Sequence, residues 1–285
     1  MLIRNSDTQS KDYEQFRVIP RPGHSDYAGH VRYRGYNDIR GGGHFSGRLT
    51  APLVFTGALC KSFLRKNHNV EIFSHIYQIG EVFDDLIDPT SIDRKLMNQL
   101  QMKEIPVFSD EAAVKIKETI TNVKNDLDSI GGAIECAVIG AEPGIGSPIF
   151  QNVESRIASI LYSVPAVKGV EFGLGFAIAG KRGSEVNDCY AMDGSMIRTK
   201  TNNSGGILGG ITNGMPIIVR TAFKPTPSIG IEQTTLNVKT CETETLKIRG
   251  RHDPCITLRA PAVVEAAVAV AMMDLYLEAY GYDAK

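Results

Sequence analysis

One window of this chain, residues 21–48, concentrates the residue types that do chemistry. It reads RPGHSDYAGHVRYRGYNDIRGGGHFSGR and holds seven glycines, five arginines and three histidines, with only two carboxylates and no lysine. Glycines let main-chain N–H groups approach an anion, arginine forks bind phosphate or carboxylate bidentately, and histidine exchanges a proton near neutral pH. The window therefore predicts a site for an anionic ligand. The competing interpretation is a surface loop with a solvated basic face.

Two later segments have the same chemical character as this window, with small residues, hydroxyls and cations. They are residues 224–228 (KPTPS) and 251–253 (RHD). If both meet residues 41–48 in the fold, a ligand with several anionic groups would be neutralised by Arg40, Arg48, Lys224 and Arg251. Prolines on both sides of Thr226 would fix its hydroxyl and backbone direction, although the same sequence also suits a rigid turn.

Two residues are candidates for proton transfer. Asp253 has Arg251 nearby, and a carboxylate beside a guanidinium stays ionised, as a base must. The alternative for Asp253 is a structural Arg–Asp pair before a helix. His24 lies in a turn and precedes Asp26, so it is either a catalytic acid or a surface residue hydrogen-bonded to its neighbour.

Hydrophobic periodicity, turn residues and capping residues predict the elements that position these groups. Helices are expected at residues 50–66 with Thr50 as cap, at 109–130 with Ser109 as cap, and at 261–280. A further helix is expected after the glycine-proline loop at 141–148 and should end at Tyr162. Strands are expected at residues 70–80, 133–140, 166–179 and 216–223. The first helix would present its N-terminus to the glycines, which favours phosphate binding.

The order of helices and strands is mixed, which indicates an α+β chain. Residues 1–3 resemble the end of a strand, and a polar turn follows them. The sequence shows no short repeat and no low-complexity linker, so residues 1–285 are expected to form a single compact domain.

Composition and motif content exclude several classes of function. A net charge of −1 and a pI near 6.6 give no bulk attraction to nucleic acid. The longest apolar stretch, residues 261–277, is interrupted by Glu265 and Asp274 and is too short to span a membrane. Five scattered cysteines without CxxC spacing indicate a reduced, cytoplasmic setting. The histidines lack metal-ligand spacing, so no metal is expected, and no Walker loop or dinucleotide fingerprint is present.

Taken together, the segments resemble the chorismate synthase family. The resembling pieces occur in the family's order and cover nearly the whole chain. They are NSDTQSKDY at 5–13, RPGHSDY at 21–27, DIRGGG at 38–43, AVKGVEFG at 166–173, GGILGGI at 205–211, KPTPS at 224–228 and RHDPCI at 251–256.

The resemblance implies a reaction, a fold and an assembly. The family converts 5-enolpyruvylshikimate 3-phosphate to chorismate by anti-1,4-elimination of phosphate, using reduced FMN although no net redox change occurs. A β-α-β sandwich and a homotetramer are implied as well.

The resemblance also implies roles for individual residues. His24 resembles the family histidine near the flavin, and Asp253 resembles the aspartate that works with flavin N5 in removing the substrate hydrogen. The implied FMN contacts are His44, Phe45, Ser46, Pro165, Ala166, Gly209, Lys224, Pro225, Thr226, Pro227, Ser228 and Arg251.

Two departures from the family pattern stand out. Many members read RSSARET after the triple glycine, whereas this chain reads HFSGRLT. The family's N-terminal segment, with its GESHG motif, a second catalytic histidine and substrate-binding arginines, would lie upstream of Met1. The chain is therefore expected to be N-terminally shortened, with little or no activity by itself. The alternative function is a non-catalytic FMN-binding or assembly subunit of the same ancestry.

Overall fold

The computed structural model of the chain describes Ile3 and residues 10–248 and 253–281. The α-helices of these residues are α1 (Asp26–Arg32), α2 (Thr50–His68), α3 (Arg94–Gln101), α4 (Asp110–Asn125), α5 (Val153–Ser163), α6 (Gly183–Val186) and α7 (Ala260–Tyr280). Their 3₁₀ helices are Ser10–Arg17, Arg40–Phe45, Gly47–Leu49, Gly175–Gly180 and Ile256–Arg259.

The strands of the described residues form one main sheet and three small hairpins. They are β1 (Glu71–Ile79), β2 (Val82–Phe83), β3 (Gly132–Ile139), β4 (Val167–Phe172), β5 (Tyr190–Asp193), β6 (Met196–Thr199), β7 (Ile207–Leu208), β8 (Ile211–Thr212), β9 (Ile217–Phe223), β10 (Gln233–Leu236) and β11 (Thr243–Leu246). The main sheet has the order β2-β1-β3-β9-β4, and each neighbouring pair is antiparallel. The hairpins are β5–β6, β7–β8 and β10–β11.

One face of the main sheet carries the helices α2, α5 and α7 and the principal core. Side chains on successive strand positions point to opposite faces, so Ile72 and Ile76 of β1 join the same buried cluster as Val264 and Met272 of α7. A Cβ on Gly57 of α2 would overlap Ala266 of α7. The two helices therefore cross with their backbones in close approach.

Helix α7 is apolar on almost every side because it lies in this core. An 18-residue window of the stretch Ile256–Tyr280 has a mean hydropathy of 1.6, and the stretch is long and apolar enough to cross a membrane by length and composition. Of its most apolar 18-residue window, 56% is buried inside the molecule. Packing against α2, α5 and the sheet accounts for its composition, as in the core helix of a globular protein.

The opposite face of the sheet carries a smaller apolar cluster and a row of charged side chains. Phe73 of β1 packs there with Met97 and Leu100 of α3. Beside this cluster, residues directly opposite one another on β1, β3, β9 and β4 are His75, Glu135, Arg220 and Glu171. Alternating charges in cross-strand positions stabilise one another, so the ladder fixes the sheet register.

The structure confirms the predicted α+β class and corrects several boundaries. Ser109 caps α4 as predicted, its Oγ accepting from Ala112 N at 3.2 Å. That helix ends at Asn125 instead of 130, because Leu127 takes a left-handed conformation (φ 59°) and its carbonyl accepts from Gly230 N. Thr50 does not cap α2: the cap position is Leu49, and the Thr50 hydroxyl donates to Gly47 O at 2.7 Å.

The strand expected at residues 166–179 is wrong beyond Phe172. At Gly173 (φ 55°) a Cβ would overlap Asn203 O, so the chain must turn there to pass the loop around residues 203–205. The Glu171 carboxylate then accepts from Phe176 N at 3.2 Å, at the start of a 3₁₀ helix. Residues 1 and 2 lie outside the described residues. Residues 10–17 form a 3₁₀ helix in place of the expected polar turn.

Candidate functional site

Arg21 organises the first part of the candidate site. Its Nε donates to Asp26 Oδ2 and its Nη2 donates to Asp26 Oδ1, each at 2.8 Å, and both side chains are buried. The guanidinium also lies over the Phe16 ring, 4.4 Å from its centroid. Burial by itself would raise the pKa of Asp26, but hydrogen bonds and charges of Arg21 and His24 outweigh it and hold that pKa far below its usual range.

His24 lies against the same carboxylate. Its Nδ1 is 2.7 Å from Asp26 Oδ1 and 3.2 Å from Arg21 Nη2, and the side chain is 14% exposed. The buried Asp26 carboxylate therefore orients the imidazole through Nδ1, and the rest of the ring is partly exposed. This contact is the hydrogen bond to a neighbour that the surface interpretation expected, and an oriented imidazole also suits the catalytic interpretation.

The segment 224–228 meets this cluster directly. Arg21 Nη1 donates to Ser228 Oγ at 3.0 Å, although the two residues are 207 positions apart. Lys224 Nζ donates to Gly23 O. A Cβ on Gly23 would lie 3.5 Å from Pro227 Cβ, so the turn before His24 packs on the proline loop. The start of the glycine-rich window, residues 21–24, is thus in contact with the segment 224–228.

Thr226 is held at the centre of the proline loop. Its carbonyl accepts from Ser129 Oγ at 2.7 Å, while its own Oγ1 is buried with no hydrogen-bond partner among the described residues. Lys224 N donates to Ala166 O at 2.9 Å, and Ala166 has a positive φ of 73°. The predicted contact residues Pro165 and Ala166 therefore border the same loop.

Asp253 also lies near the proline loop, residues 224–228, and the arginine that the described residues place against it is Arg259. It forms an ion pair with Arg259, in the 3₁₀ helix before α7, and its Oδ1 accepts from Cys255 N at 3.3 Å. Arg251, the expected neighbour, lies outside the described residues, as does His252. An Arg–Asp pair before a helix is the structural alternative considered for Asp253. The Arg259 side chain is 79% exposed, however, so it does not shield the Asp253 carboxylate from a ligand.

Residues 129–131 connect Asp253 to the proline loop. Ile130 N donates to Pro254 O at 2.8 Å, next to the Ser129 bond to Thr226. A Cβ on Gly131 would meet Phe223 O at 2.5 Å and Pro225 Cδ at 3.1 Å. An open cavity of about 290 Å³ adjoins this contact, lined among others by Gly131, Gly132 and Phe223.

Four further predicted FMN contacts, His44, Phe45, Ser46 and Gly209, have local contacts of their own. The Phe45 ring packs on Gly29 of α1, and the His44 ring lies 6.1 Å from the Tyr33 ring. Ser46 Oγ accepts from Arg48 N at 3.3 Å. Gly209 forms the β7–β8 turn, with no atom within 4 Å of where its Cβ would be. Hydrogen bonds among the described residues do not join these four positions to residues 224–228.

Sequence reasoning missed Ser129 and Arg259. Ser129 fell inside the helix predicted at residues 109–130, and nothing local indicated that its hydroxyl reaches residue 226. Arg259 lies six positions from its partner Asp253, across a turn whose shape the sequence does not show. A search for polar residues between the end of α4 and the start of β3 would have found Ser129.

The fold and the site define an enzyme. An α+β scaffold brings an oriented histidine, a lysine-bearing loop with an unpaired buried hydroxyl, and a carboxylate to one junction, which suits acid–base chemistry on an anionic ligand.

Comparison with known proteins specifies which enzyme family this is. Residues 1–277 match the family model for chorismate synthase. A chorismate synthase of Pyrococcus abyssi (strain GE5 / Orsay) is 45% identical over 275 residues, which are 96% of this chain and 75% of that protein. One of Methanothermobacter thermautotrophicus is 41% identical over 279 residues, 98% of this chain and 73% of that protein. A crystal structure of chorismate synthase superimposes with a TM-score of 0.73 at 31% identity, over 90% of this chain and 72% of that one.

The chain belongs to the chorismate synthase family. Its function is that of this family, a lyase acting on a phosphate-bearing substrate in the shikimate pathway of aromatic biosynthesis. The resemblance noted in the sequence is confirmed, and the non-catalytic subunit is not favoured.

Proposed function

We propose that this lyase acts on 5-enolpyruvylshikimate 3-phosphate with reduced FMN as cofactor, and that His24 and Asp253 are its acid–base residues. The observation that carries the proposal is the Thr226 hydroxyl, buried without a partner between two prolines and beside Lys224. A buried hydroxyl without a hydrogen bond costs free energy, and a bound ligand oxygen would satisfy it.

The residues of this junction fit a flavin phosphate or another anionic group of the cofactor. Lys224 supplies a cation, Thr226 and Ser228 supply hydroxyls, and the backbone of Pro165 and Ala166 borders the same loop. When bound, reduced FMN supplies electron density to the departing groups and recovers it, so the reaction has no net redox change. His44, Phe45, Ser46, Gly209 and Arg251 stay predictions as further contacts.

The side chains divide the elimination between them. The substrate loses a proton from one carbon and phosphate from another, the existing double bond shifts, and one new C=C forms, so atoms and electrons balance. Asp253, whose ion-pair partner among the described residues is the exposed Arg259, would accept the proton. His24 is engaged through Nδ1, and Nε2, which has no hydrogen bond to another described residue, would exchange a proton with the cofactor or substrate. Lys224 would neutralise part of the ligand charge.

A homotetramer in the cytoplasm completes the proposal. The β5–β6 hairpin supports self-association, since Tyr190, Met192, Met196 and Ile197 are each at least 60% exposed. Exposed apolar groups of this density mark interaction surfaces. The free state of all five cysteines supports a reducing compartment.

The experiment that tests the cofactor site is FMN binding to a Thr226→Val variant. Valine keeps the shape of threonine but removes the unpaired hydroxyl, so the ligand-free protein should be as stable as wild type or more stable. Its FMN dissociation constant should rise about tenfold or more, since a hydrogen bond to a charged group is worth about 1.5 kcal/mol or more. Isothermal titration calorimetry under anaerobic conditions with reduced FMN measures this.

Thr199→Val is the matched control for that measurement. Thr199 Oγ1 is also buried without a partner, but it lies in β6, away from the proline loop. Equal FMN affinity in both variants would overturn the cofactor site at Thr226. Anaerobic chorismate formation from 5-enolpyruvylshikimate 3-phosphate tests the substrate and the two acid–base residues, through the His24→Gln and Asp253→Asn variants.

A further inference from the structure

We propose that Asp26 is a positioning residue for His24: it holds the imidazole proton on Nδ1, so that Nε2 is the nitrogen that exchanges protons in the site. The inference rests on the proposed role of His24 and adds to it the group that selects its tautomer. Nothing in the sequence pattern requires this, because Asp26 could equally have capped α1 or paired with solvent.

The distances around Nδ1 determine which atom carries the proton. Asp26 Oδ1 is 2.7 Å from His24 Nδ1, and Arg21 Nη2 is 3.2 Å from the same nitrogen. A guanidinium can only donate and an ionised carboxylate can only accept, so the two contacts demand opposite states of Nδ1. In the shorter contact, an unprotonated His24 Nδ1 and Asp26 Oδ1 would both be acceptors and would repel each other, unless a proton lies between them. The structure therefore assigns that proton to Nδ1, directed at Asp26.

Arg21 prevents Asp26 from moving or from taking the proton itself. The backbone N and the Nε of Arg21 both donate to Oδ2, at 3.0 and 2.8 Å, and Nη2 donates to Oδ1 at 2.8 Å. This fork fixes the carboxylate plane, and its charge favours the ionised form of Asp26. The proton in the Asp26–His24 contact consequently stays on the imidazole.

The same arginine ties this arrangement to the cofactor loop. Its remaining nitrogen, Nη1, donates to Ser228 Oγ at 3.0 Å, and the guanidinium is backed by the Phe16 ring. Arg21 thus sets the orientation of Asp26 relative to residues 224–228. The imidazole held by Asp26 is oriented relative to the same loop that we propose binds FMN.

The test reads the tautomer directly by ¹⁵N NMR of the imidazole nitrogens in the full chain, at a pH where histidines are neutral. The signals of His24 are identified among those of the six histidines by their loss in His24→Gln. In the wild-type protein, neutral His24 should carry its proton on Nδ1. A proton on Nε2 would overturn the proposal without any need for a substituted protein.

Asp26→Asn should switch the tautomer to Nε2–H. The Oδ2 position must still accept from two Arg21 donors that cannot change role, so the amide oxygen takes that position and the amide NH₂ faces Nδ1. Asp274→Asn is the control, since it also removes a carboxylate from an arginine, Arg156, on the far side of α7. A folded Asp26→Asn protein that keeps Nδ1–H would overturn the proposal.

Activity separates this inference from the role of His24. If His24 transfers a proton, Asp26→Asn should lower kcat by about 10²-fold with a small change in KM, because the reacting nitrogen then has the wrong protonation state. If His24→Gln keeps full activity, the proposed role of His24 fails, while the tautomer measurement still decides what Asp26 does. An unchanged kcat in Asp26→Asn, beside an inactive His24→Gln, would overturn the positioning role.

Discussion

Ser129 Oγ donates a hydrogen bond of 2.7 Å to the carbonyl oxygen of Thr226, 97 positions further along the chain. The next residue, Ile130, donates its N–H to Pro254 O. The short connection between α4 and β3 therefore holds both the proline loop and the segment that carries Asp253. The candidate site depends on this connection, although neither Ser129 nor Ile130 belongs to a motif of the sequence.

Replacing Ser129 by alanine should weaken FMN binding. The variant loses the bond that fixes the Thr226 carbonyl, and a bond of this kind contributes about 0.5–1.5 kcal/mol, so the dissociation constant should rise about twofold to tenfold. Calorimetry with reduced FMN measures the change. Ser163→Ala is the control, because Ser163 Oγ also donates to a carbonyl, that of Ile160, but in α5. Identical affinities in the two variants would show that the loop is held without Ser129.

Replacing Gly57 by alanine should destabilise the helix layer. The new methyl group would overlap Ala266 of α7, so α2 and α7 must separate. Overpacking of this kind costs about 1–3 kcal/mol, measured as a lower urea midpoint of unfolding. Gly183→Ala in α6 is the control, since its methyl group would contact only Asn187, at 3.9 Å. Equal midpoints for both variants would contradict the close crossing.

Removing the Glu265 carboxylate should be among the most costly single changes in the core. Buried in α7, it accepts from Ser74 Oγ at 2.8 Å and Gln101 Nε2 at 2.7 Å, and it pairs with Lys61. Glu265→Ala leaves these donors without an acceptor, at a cost of about 3–5 kcal/mol.

Chemical denaturation distinguishes Glu265 from an acidic residue on the exposed side of the same helix. Asp274→Ala removes the partner of Arg156 at a site where the carboxylate is 58% exposed, and it should cost less than about 1 kcal/mol. Glu265→Gln should fall between the two, because the amide keeps one oxygen for Ser74 or Gln101. If Glu265→Ala proved as mild as Asp274→Ala, the buried network would contribute little.

His75 should make stability depend on pH near neutrality. Burial lowers the pKa of His75, but the carboxylates of Asp84 and Glu135, within 3.3 and 3.1 Å of its ring nitrogens, outweigh burial and raise it above its ordinary value of 6.5. A raised pKa means that the folded protein binds the proton more tightly than the unfolded chain. The stabilisation is therefore complete below about pH 6.5 and is lost as the pH rises through the folded pKa.

Urea unfolding between pH 6 and pH 9 measures this dependence. The wild-type free energy of unfolding should decline across that interval, and the decline should be weaker in His75→Gln. His30→Gln is the control, because His30 is exposed on α1 and should leave the slope as it is in the wild type. If the free energy of unfolding of His75→Gln declined with pH as steeply as that of the wild type, a group other than His75 would cause the dependence.

Much of the local structure could be predicted from the sequence. Ser109 begins α4 as expected, the apolar run at residues 133–140 is β3, and the helix at residues 261–280 is α7. Capping and hydrophobic periodicity depend on residues a few positions apart, so a single sequence is enough to show them. The motif segments that carry His24, Lys224 and Thr226 were visible for the same reason.

Local pattern failed where distant segments decide the conformation. Helix α4 stops five residues early because the Leu127 carbonyl pairs with Gly230, and β4 stops at Phe172 because the loop around Asn203 occupies the space beyond it. Asp253 pairs with Arg259, six positions along the chain, which no motif of the sequence indicated. In each instance the competing contact lies outside the window that periodicity or adjacency can read.

By itself, then, the sequence determined the family, the types of element and the residues able to do chemistry. Only the tertiary structure decided that Arg21 joins Asp26, His24 and Ser228 in one cluster, and that Ser129 holds the Thr226 carbonyl while the Thr226 hydroxyl stays unpaired. The physical reason is distance along the chain. A hydrogen bond across about 100 or 200 positions forms only after the burial of apolar surface has brought the segments together, and that burial is a property of the whole core.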